Sequence, residues 1–340
     1  MKRLILLAVI LFAVAAAWAI AQERTLTPAE PLVIYTGRSD QFVRPLAERF
    51  TAQSGIPVTL HAGSATELLN KLRVEGARTS ADLYLSNDAG TLQIGEDEGL
   101  FAQLPLLLTQ TVPANYRGRD NTWVGLSARA RVLVVNTSAD GVDALDSVFD
   151  IADPKWAGKL GVTTSANESF VAGLSVYQAL LGHDRAERWL RGLRENAGRE
   201  VYAKHGAIVA DVAAGRRTVG LVNHYYIFRH LNQHPDAPIR VIVPDQGDDQ
   251  IGVAWNVAGI AISRHARNKE AAEAFVAFVL SDEGQRMFAD ANAEYPTRAG
   301  VAADERLPDP DAIKVADLSL AELAARRDAA IELIDKVGMP

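Results

Sequence analysis

The sequence predicts an α/β protein of two lobes joined by two crossing segments, with mostly parallel sheets flanked by helices. Short apolar runs typical of buried strands alternate with segments of helical spacing. The length of 340 residues fits about two domains. A composition of 48% hydrophobic and 23% charged residues excludes a disordered protein and a collagen.

The chain opens with a β-α-β-α-β order. Three short apolar runs predict its strands: Pro31–Thr36, Ile56–Leu60 and Asp82–Ser86. Phe42, Leu46 and Phe50 share one face of the first intervening helix, and Gly55 predicts its end. The second helix is predicted to end at Gly76. This order predicts parallel strands with right-handed crossovers.

Two polar turns follow predicted strands of this first unit. Gly37–Asp40 follows the first strand, and Asn87–Gly90 follows the third. Because open α/β sheets bind ligands beyond the carboxyl ends of their strands, we expect both turns at one ligand-binding rim.

A second unit follows, with strands predicted at Val132–Asn136, Val219–Val222 and Trp255–Ile262. The two crossings are predicted near Arg129–Val134 and Val253–Ala258. The predicted lobes are residues 22–130 plus 257–305 and residues 131–256 plus 306–340.

The pattern of the N-terminal residues predicts that the protein is exported. Lys2 and Arg3 precede an apolar run over Leu4–Ala17, and Ala19–Ala21 has an Ala-x-Ala pattern. These features are typical of a cleavable signal peptide over residues 1–21 and therefore predict a periplasmic protein. A membrane anchor is the alternative, because the uncharged N-terminal stretch approaches the length that spans a bilayer.

Composition and motifs exclude several function classes. The chain has no cysteine, hence no disulfide, thiolate metal site or cysteine nucleophile. A net charge of −7 argues against nucleic acid as a partner. HExxH, GxSxG, P-loop and GxGxxG motifs are all absent from the sequence. We therefore predict that the protein is not an enzyme, with an exported hydrolase as an alternative.

Two clusters are weak candidate metal sites: His224, His230 and His234 for zinc, and Asp245, Asp248 and Asp249 for calcium. The pair Tyr225-Tyr226 is more informative, because it follows the strand Val219–Val222 at a ligand-binding end. A phenol normally ionises near pH 10, and a hard, highly charged cation favours its phenolate. Ferric iron fits these oxygen ligands, whereas zinc and copper favour His or Cys. The alternative interpretation is one core tyrosine beside one surface tyrosine.

Several stretches together carry a family resemblance: Val33–Arg38, Ser80–Tyr84, Asp88–Gly90, Trp123–Arg131, Pro154–Gly161, Asn223–Tyr226 and Ala293–Arg298. Over nearly the whole mature chain, the sequence resembles the periplasmic ferric-iron-binding proteins of bacterial ABC importers, which are type II periplasmic binding proteins. The resemblance implies a cleft that closes by hinge motion, a membrane permease as partner, and a monomer.

The resemblance also implies a site. Tyr225 and Tyr226 correspond to paired phenolate ligands of Fe³⁺, beside a synergistic anion that is carbonate, bicarbonate or phosphate. The implied anion pocket comprises Thr164, Ser165, Ala166, Asn167, His205 and Asn223. Backbone N–H groups at a helix start attract such anions. Helix capping is the alternative role of Ser165 and Asn167.

Three departures from the family pattern leave the iron shell incomplete. Ser39 stands where one branch has histidine, Asn87 where it has a carboxylate, and Ser169 where another branch has tyrosine. Arg38, Ser39 and Asn87 are candidate additional metal or anion contacts, and Arg38 could hold carbonate through two hydrogen bonds. Arg129 is expected to be structural. The alternative function is the same fold binding another solute: an oxyanion, thiamine or a polyamine.

Overall fold

The structure is a computed structural model that describes residues 30–340, so the predicted signal peptide lies outside the described residues. Eleven described helices, α1 to α11 in chain order, are Asp40–Ser54, Ala65–Glu75, Ala89–Asp97, Leu106–Thr109, Glu168–Leu181, His183–Ala197, His205–Ala213, Tyr225–Gln233, Lys269–Val279, Asp282–Asn292 and Leu320–Val337. None of these helices combines the length and apolar character needed to cross a bilayer.

Nine strands lie in the same part of the chain. In chain order, β1 to β9 are Leu32–Thr36, Val58–Ala62, Leu83–Ser86, Trp123–Asn136, Leu160–Gly161, Val219–Asn223, Ile239–Ile242, Trp255–Ile262 and Tyr295–Pro296.

The strands form two sheets that share β4. The first sheet has the order β2-β1-β3-β8-β4, with β9 also on β4, and the second places β6 and β7 on β4 and β5 on β6. β1 is parallel to β2 and β3, as the β-α-β-α-β order predicts. The long strands β4 and β8 are antiparallel to their neighbours, so the sheets are mixed rather than mostly parallel as predicted.

The strand β4 crosses from one sheet to the other. Its residues up to Ala130 pair with β8, and from Arg131 onward they pair with β6. The Arg131 N–H donates to the Ala254 carbonyl at 2.9 Å, just before β8 begins. β4 therefore changes sheets within the first predicted crossing, whereas the second change of sheet, between β7 and β8, falls at residues 243–254. The lobe boundaries stay predictions.

The close packing of the first rim depends on one glycine. A Cβ at Gly37 would lie 2.7 Å from the Ala65 Cβ, too close for any other residue without a shift. The Gly37 N–H donates to the Leu85 carbonyl of β3 at 2.7 Å. This contact holds the turn after β1 against the end of β3.

The C-terminal helix α11 packs against α3 and α5. Helix α3 follows the first unit, whereas α5 follows β5 of the second sheet. A Ser319 capping box fixes the start of α11. The helix thus connects layers that flank both sheets.

Candidate metal centre

The two tyrosines predicted as a metal site line one cavity. Strand β6 ends at Asn223, and α8 begins at Tyr225, so the backbone enters a helix at the pair. The centroids of the Tyr225 and Tyr226 rings are 4.5 Å apart, with a 33° angle between the ring planes. Tyr225 is buried and Tyr226 half-buried. The shared cavity argues against the alternative of one core and one surface residue.

The cavity encloses about 320 Å³, including its opening to solvent. Its lining residues are Gly37, Arg38, Ser39, Phe42, Asn87, Arg129, Tyr225, Tyr226 and Glu294. The turns after β1 and β3 thus meet at one rim, as predicted, and face the start of α8. Ser39 is exposed at this rim. The buried Oδ1 of Asn87 has no hydrogen-bond partner among residues 30–340, so it is available to a ligand.

A buried ion pair forms the floor of the cavity. The Arg38 Nη2 donates to the Glu294 Oε2 at 2.7 Å, and Glu294 has no exposed surface. The Arg38 Nη1 donates to the Ser127 Oγ at 3.2 Å. Burial lowers the pKa of Arg38, but the Glu294 carboxylate, together with Tyr225 and Tyr226, raises it, and the net pKa is raised. The positive charge of Arg38 is therefore neutralised by Glu294 inside the fold, and Arg38 is not a surface residue.

The phenol of Tyr226 is protonated in the absence of a metal. Burial raises its pKa far above the usual value near 10, and the neighbouring Tyr225 raises it further. Asn223 Nδ2 lies 3.4 Å from the Tyr225 hydroxyl and donates to it.

Asn223 and His205 meet at Arg131. The Arg131 Nη1 donates to the Asn223 Oδ1 at 3.3 Å and lies 3.3 Å from both ring nitrogens of His205. The His205 ring stacks near Tyr226, with centroids 5.1 Å apart. Burial and the charge of Arg131 hold the pKa of His205 well below 6.5, so its imidazole is neutral.

The turn Thr164–Asn167 has little backbone donor capacity left. The N–H groups of Thr164, Ser165 and Asn167 donate to the carbonyls of Tyr202, Pro340 and Thr164. Asn167 caps α5 by accepting from the Ser169 N–H at 3.1 Å, which is the alternative capping role. Ala166 is exposed. The role of this turn in anion binding stays a prediction.

The two weak metal clusters have structural contacts instead. His224 Nδ1 accepts from the Ala130 N–H at 3.1 Å, and Nε2 lies 2.8 Å from the Ala293 carbonyl, which occupies both ring nitrogens. The Asp245 carboxylate accepts from Ser147 and Val148. Among residues 30–340, no group of three His, Cys, Asp or Glu side chains is arranged to hold a metal ion.

Sequence reasoning missed Glu294 and Arg131 and assigned Arg129 a purely structural role. The buried Arg129 Nη1 and Arg131 Nη2 have no hydrogen-bond partner within the described chain. Alternation along β4 places residues two apart on one face. That pattern could have flagged Arg129 and Arg131 as neighbours, whereas nothing local marks Glu294 as the partner of Arg38.

Comparison with known proteins gives consistent results. The family described as "Bacterial extracellular solute-binding protein" matches residues 45–315. Iron uptake protein A1 of Synechocystis is 31% identical over 92% of this chain and 89% of its own length. The structure of iron-bound HitA from Pseudomonas aeruginosa has 28% identity and a TM-score of 0.85 over 91% of this chain and 99% of its own.

A structure of FutA from Trichodesmium in complex with iron and citrate has 28% identity and a TM-score of 0.78, covering 91% of this chain and 100% of that chain. These likenesses confirm the predicted two-lobed fold class and the non-enzymatic, solute-binding character. By the match over most of its length, this chain belongs to the bacterial extracellular solute-binding protein family.

Proposed function

We propose that this protein captures Fe³⁺ with a synergistic anion in the cavity between the two sheets and delivers it to the permease of an ABC importer. The observation that carries the proposal is that Tyr225 and Tyr226, adjacent in sequence, line one cavity together. Relatives named for iron uptake and ferric iron binding support the choice of cargo.

The donor set suits a hard trivalent cation. Two phenolate oxygens supply negative charge, and the unpartnered Asn87 Oδ1 supplies a neutral oxygen from the opposite wall. The hydroxyl of Ser39 lies at the same rim. Since no thiolate is present and His224 and His205 are engaged elsewhere, the cavity favours Fe³⁺ over softer metals.

An anion completes the proposed shell. Two phenolates leave part of the Fe³⁺ charge uncompensated, and the cavity wall also contains Arg129, whose Nη1 has no partner in residues 30–340. Carbonate, bicarbonate or phosphate would offset both charges, because guanidinium groups bind oxyanions through paired hydrogen bonds. Arg38 contributes less, since Glu294 already neutralises it.

The family match supports a proposal for delivery. We propose that the lobes close around the ligand by bending at β4 and at the start of β8, and that the closed monomer docks on the permease. The two segments lie side by side where β4 passes from β8 to β6, which suits a two-segment hinge. Export to the periplasm by the signal peptide belongs to the same proposal.

The test is optical. Adding Fe³⁺ with bicarbonate or phosphate to the iron-free protein should produce a visible phenolate-to-iron charge-transfer band. The double change Tyr225→Phe plus Tyr226→Phe should abolish it. Tyr202→Phe is the matched control, because the Tyr202 hydroxyl donates to Asp211 away from the cavity, and this variant should keep the band. A band that survives the double change would overturn the proposal.

An oxyanion as the transported solute is the second candidate, favoured by Arg129 Nη1 and Arg131 Nη2, which are buried and have no partner in residues 30–340. The same two cations argue against a polyamine or thiamine, which are positively charged. Saturable oxyanion binding by a protein that gives no iron band under any condition would support this candidate.

A further inference from the structure

Two histidines lie next to each other at the end of α8. The centroids of the His230 and His234 rings are 4.7 Å apart, with a 42° angle between the ring planes. The His234 N–H donates to the His230 carbonyl at 2.9 Å, so helical geometry connects the two residues although α8 ends at Gln233. Side chains four residues apart lie on the same face of a helix. The two imidazoles therefore form a pair on the last turn.

The ring nitrogens of this pair are available to a ligand. Unlike His224, whose two ring nitrogens are engaged, neither imidazole makes a hydrogen bond or an ion pair with another residue of the range 30–340. His234 is exposed and His230 half-buried, so a solvated ion can reach both. An imidazole must be neutral to bind a metal. Burial and the neighbouring His234 lower the pKa of His230 below its usual value near 6.5, which favours the neutral ring.

The two donors select a class of cation. Imidazole nitrogens suit Zn²⁺, Ni²⁺ and Cu²⁺, whereas hard cations prefer oxygen ligands such as those of the tyrosine cavity. Histidines four residues apart on one helix face are also the pair that binds zinc in the HExxH motif. Leu231 stands in place of the glutamate of that motif, so the pair can bind a metal but lacks the general base.

The ion would keep much of its water. Among residues 30–340, no third His, Cys, Asp or Glu side chain joins the pair in a metal-binding group. A divalent ion with four or more ligands would therefore hold two imidazoles from the protein and take the rest from water. Such a site is open and exchanges its ion with solvent.

The histidine pair is separate from the tyrosine cavity. Neither histidine is among the described residues that line the cavity. Tyr226, His230 and His234 recur every four residues, so the histidines continue the helix face of Tyr226 outward, from a half-buried position to an exposed one. On this last turn, Asn232 accepts a hydrogen bond from Arg306. A metal on the histidines would add a second restraint to the end of α8.

We propose that His230 and His234 form a second metal site, which binds one borderline divalent cation such as Zn²⁺ on the surface of α8. The site goes beyond the proposed capture of Fe³⁺, because it takes a different class of cation through nitrogen ligands. The bound ion links successive turns of the helix that begins with the tyrosine pair. Since the unfolded chain does not hold the two rings together, binding of the ion stabilises the folded state.

The experiment is calorimetric titration of the iron-free protein with Zn²⁺, in a buffer without phosphate or chelator. We expect one saturable site. His230→Gln and His234→Gln should each weaken binding at least about tenfold, because a ligand should contribute no less than the roughly 10- to 100-fold that residues orienting a ligand contribute. His234→Gln changes an exposed residue and should leave folding intact. Zn²⁺ should also raise the Tm of the wild type but not that of the double histidine variant.

His265→Gln is the matched control, because His265 is an exposed histidine in the turn after β8, and this variant should bind Zn²⁺ like the wild type. The Tyr225→Phe plus Tyr226→Phe variant should also keep Zn²⁺ binding. Absence of saturable binding, binding that survives the loss of both histidines, or binding that the double phenylalanine change removes would overturn the second metal site. Failure of iron capture would show separately as a missing charge-transfer band.

Discussion

Arg38 and Arg131 are both buried arginines close to the tyrosine pair, yet their surroundings are opposite. Arg38 donates to the fully buried Glu294 and to Ser127, and it lies over the rings of Phe42 and Phe288 at 5.2 and 5.5 Å. Arg131 contacts only neutral partners and keeps one donor unused within residues 30–340.

The presence or absence of a counterion distinguishes an arginine with a structural role from an arginine that can bind an anionic ligand. A buried ion pair is satisfied within the fold, and breaking it leaves an uncompensated charge. A buried arginine without a counterion lowers the stability of the fold until an anion binds to it. The first type should therefore control folding stability, and the second should control binding.

The largest effect on stability is expected from breaking the ion pair between Arg38 and Glu294. Glu294→Gln leaves Arg38 buried without a counterion and should lower the free energy of unfolding by about 3–5 kcal/mol. Urea denaturation measures this. Arg38→Met combined with Glu294→Leu should recover most of the loss. Glu283→Gln, at an exposed pair with Arg49, is the control and should change little. Equal effects of the two single changes would contradict the assignment.

The next largest effect is expected on the release of iron at low pH. Both phenols must lose their protons to bind Fe³⁺, and burial and Tyr225 raise the pKa of Tyr226. Affinity should therefore fall as pH falls, by about 100-fold per pH unit when two protons return. The charge-transfer band followed against pH measures this.

Arg131 also bears on iron release, because it donates to Asn223, which in turn donates to the Tyr225 hydroxyl. Arg131→Met should move the pH of half-release upward, whereas Arg217→Met should not move it, because Arg217 is a largely buried arginine that pairs with Glu200. An unchanged midpoint in Arg131→Met would show that Arg131 does not act on the phenols through Asn223.

A smaller loss is expected at the residue that links Arg131 to the phenols. Asn223 accepts from Arg131 and donates to the Tyr225 hydroxyl. Asn223→Ala should weaken iron binding about 10- to 100-fold, as is usual for residues that orient metal ligands. Competition with a chelator measures the affinity. Asn136→Ala removes another buried amide, bonded to Val212, and should leave iron affinity unchanged.

The smallest effect is on folding without ligand. Arg131→Met in anion-free buffer should change the free energy of unfolding by less than about 1 kcal/mol, because relief of an unpaired buried charge offsets the lost hydrogen bonds. Urea denaturation measures this change, and added phosphate should then stabilise the wild type but not the variant. A loss as large as that of Glu294→Gln would make Arg131 a structural cation like Arg38.

Local patterns predicted most of the architecture. The strand Trp255–Ile262 was predicted at its observed bounds, and Gly55 ends α1 with a positive φ of 74°, as glycine permits. The tyrosine pair was predicted because it follows a strand of the expected unit. Strand β4 was predicted only from Val132, although it begins at Trp123, since glycine, serine and two arginines mask an interior strand.

The sequence alone determined the α/β units, the rim and the two phenols, because these depend on periodicity over a few residues. Tertiary structure decided which arginine is neutralised. Glu294 reaches Arg38 across 256 residues of chain, while none of the described carboxylates reaches Arg131. Coulomb attraction acts through space over a few ångströms, so the partners of a buried charge are fixed only when distant segments pack together.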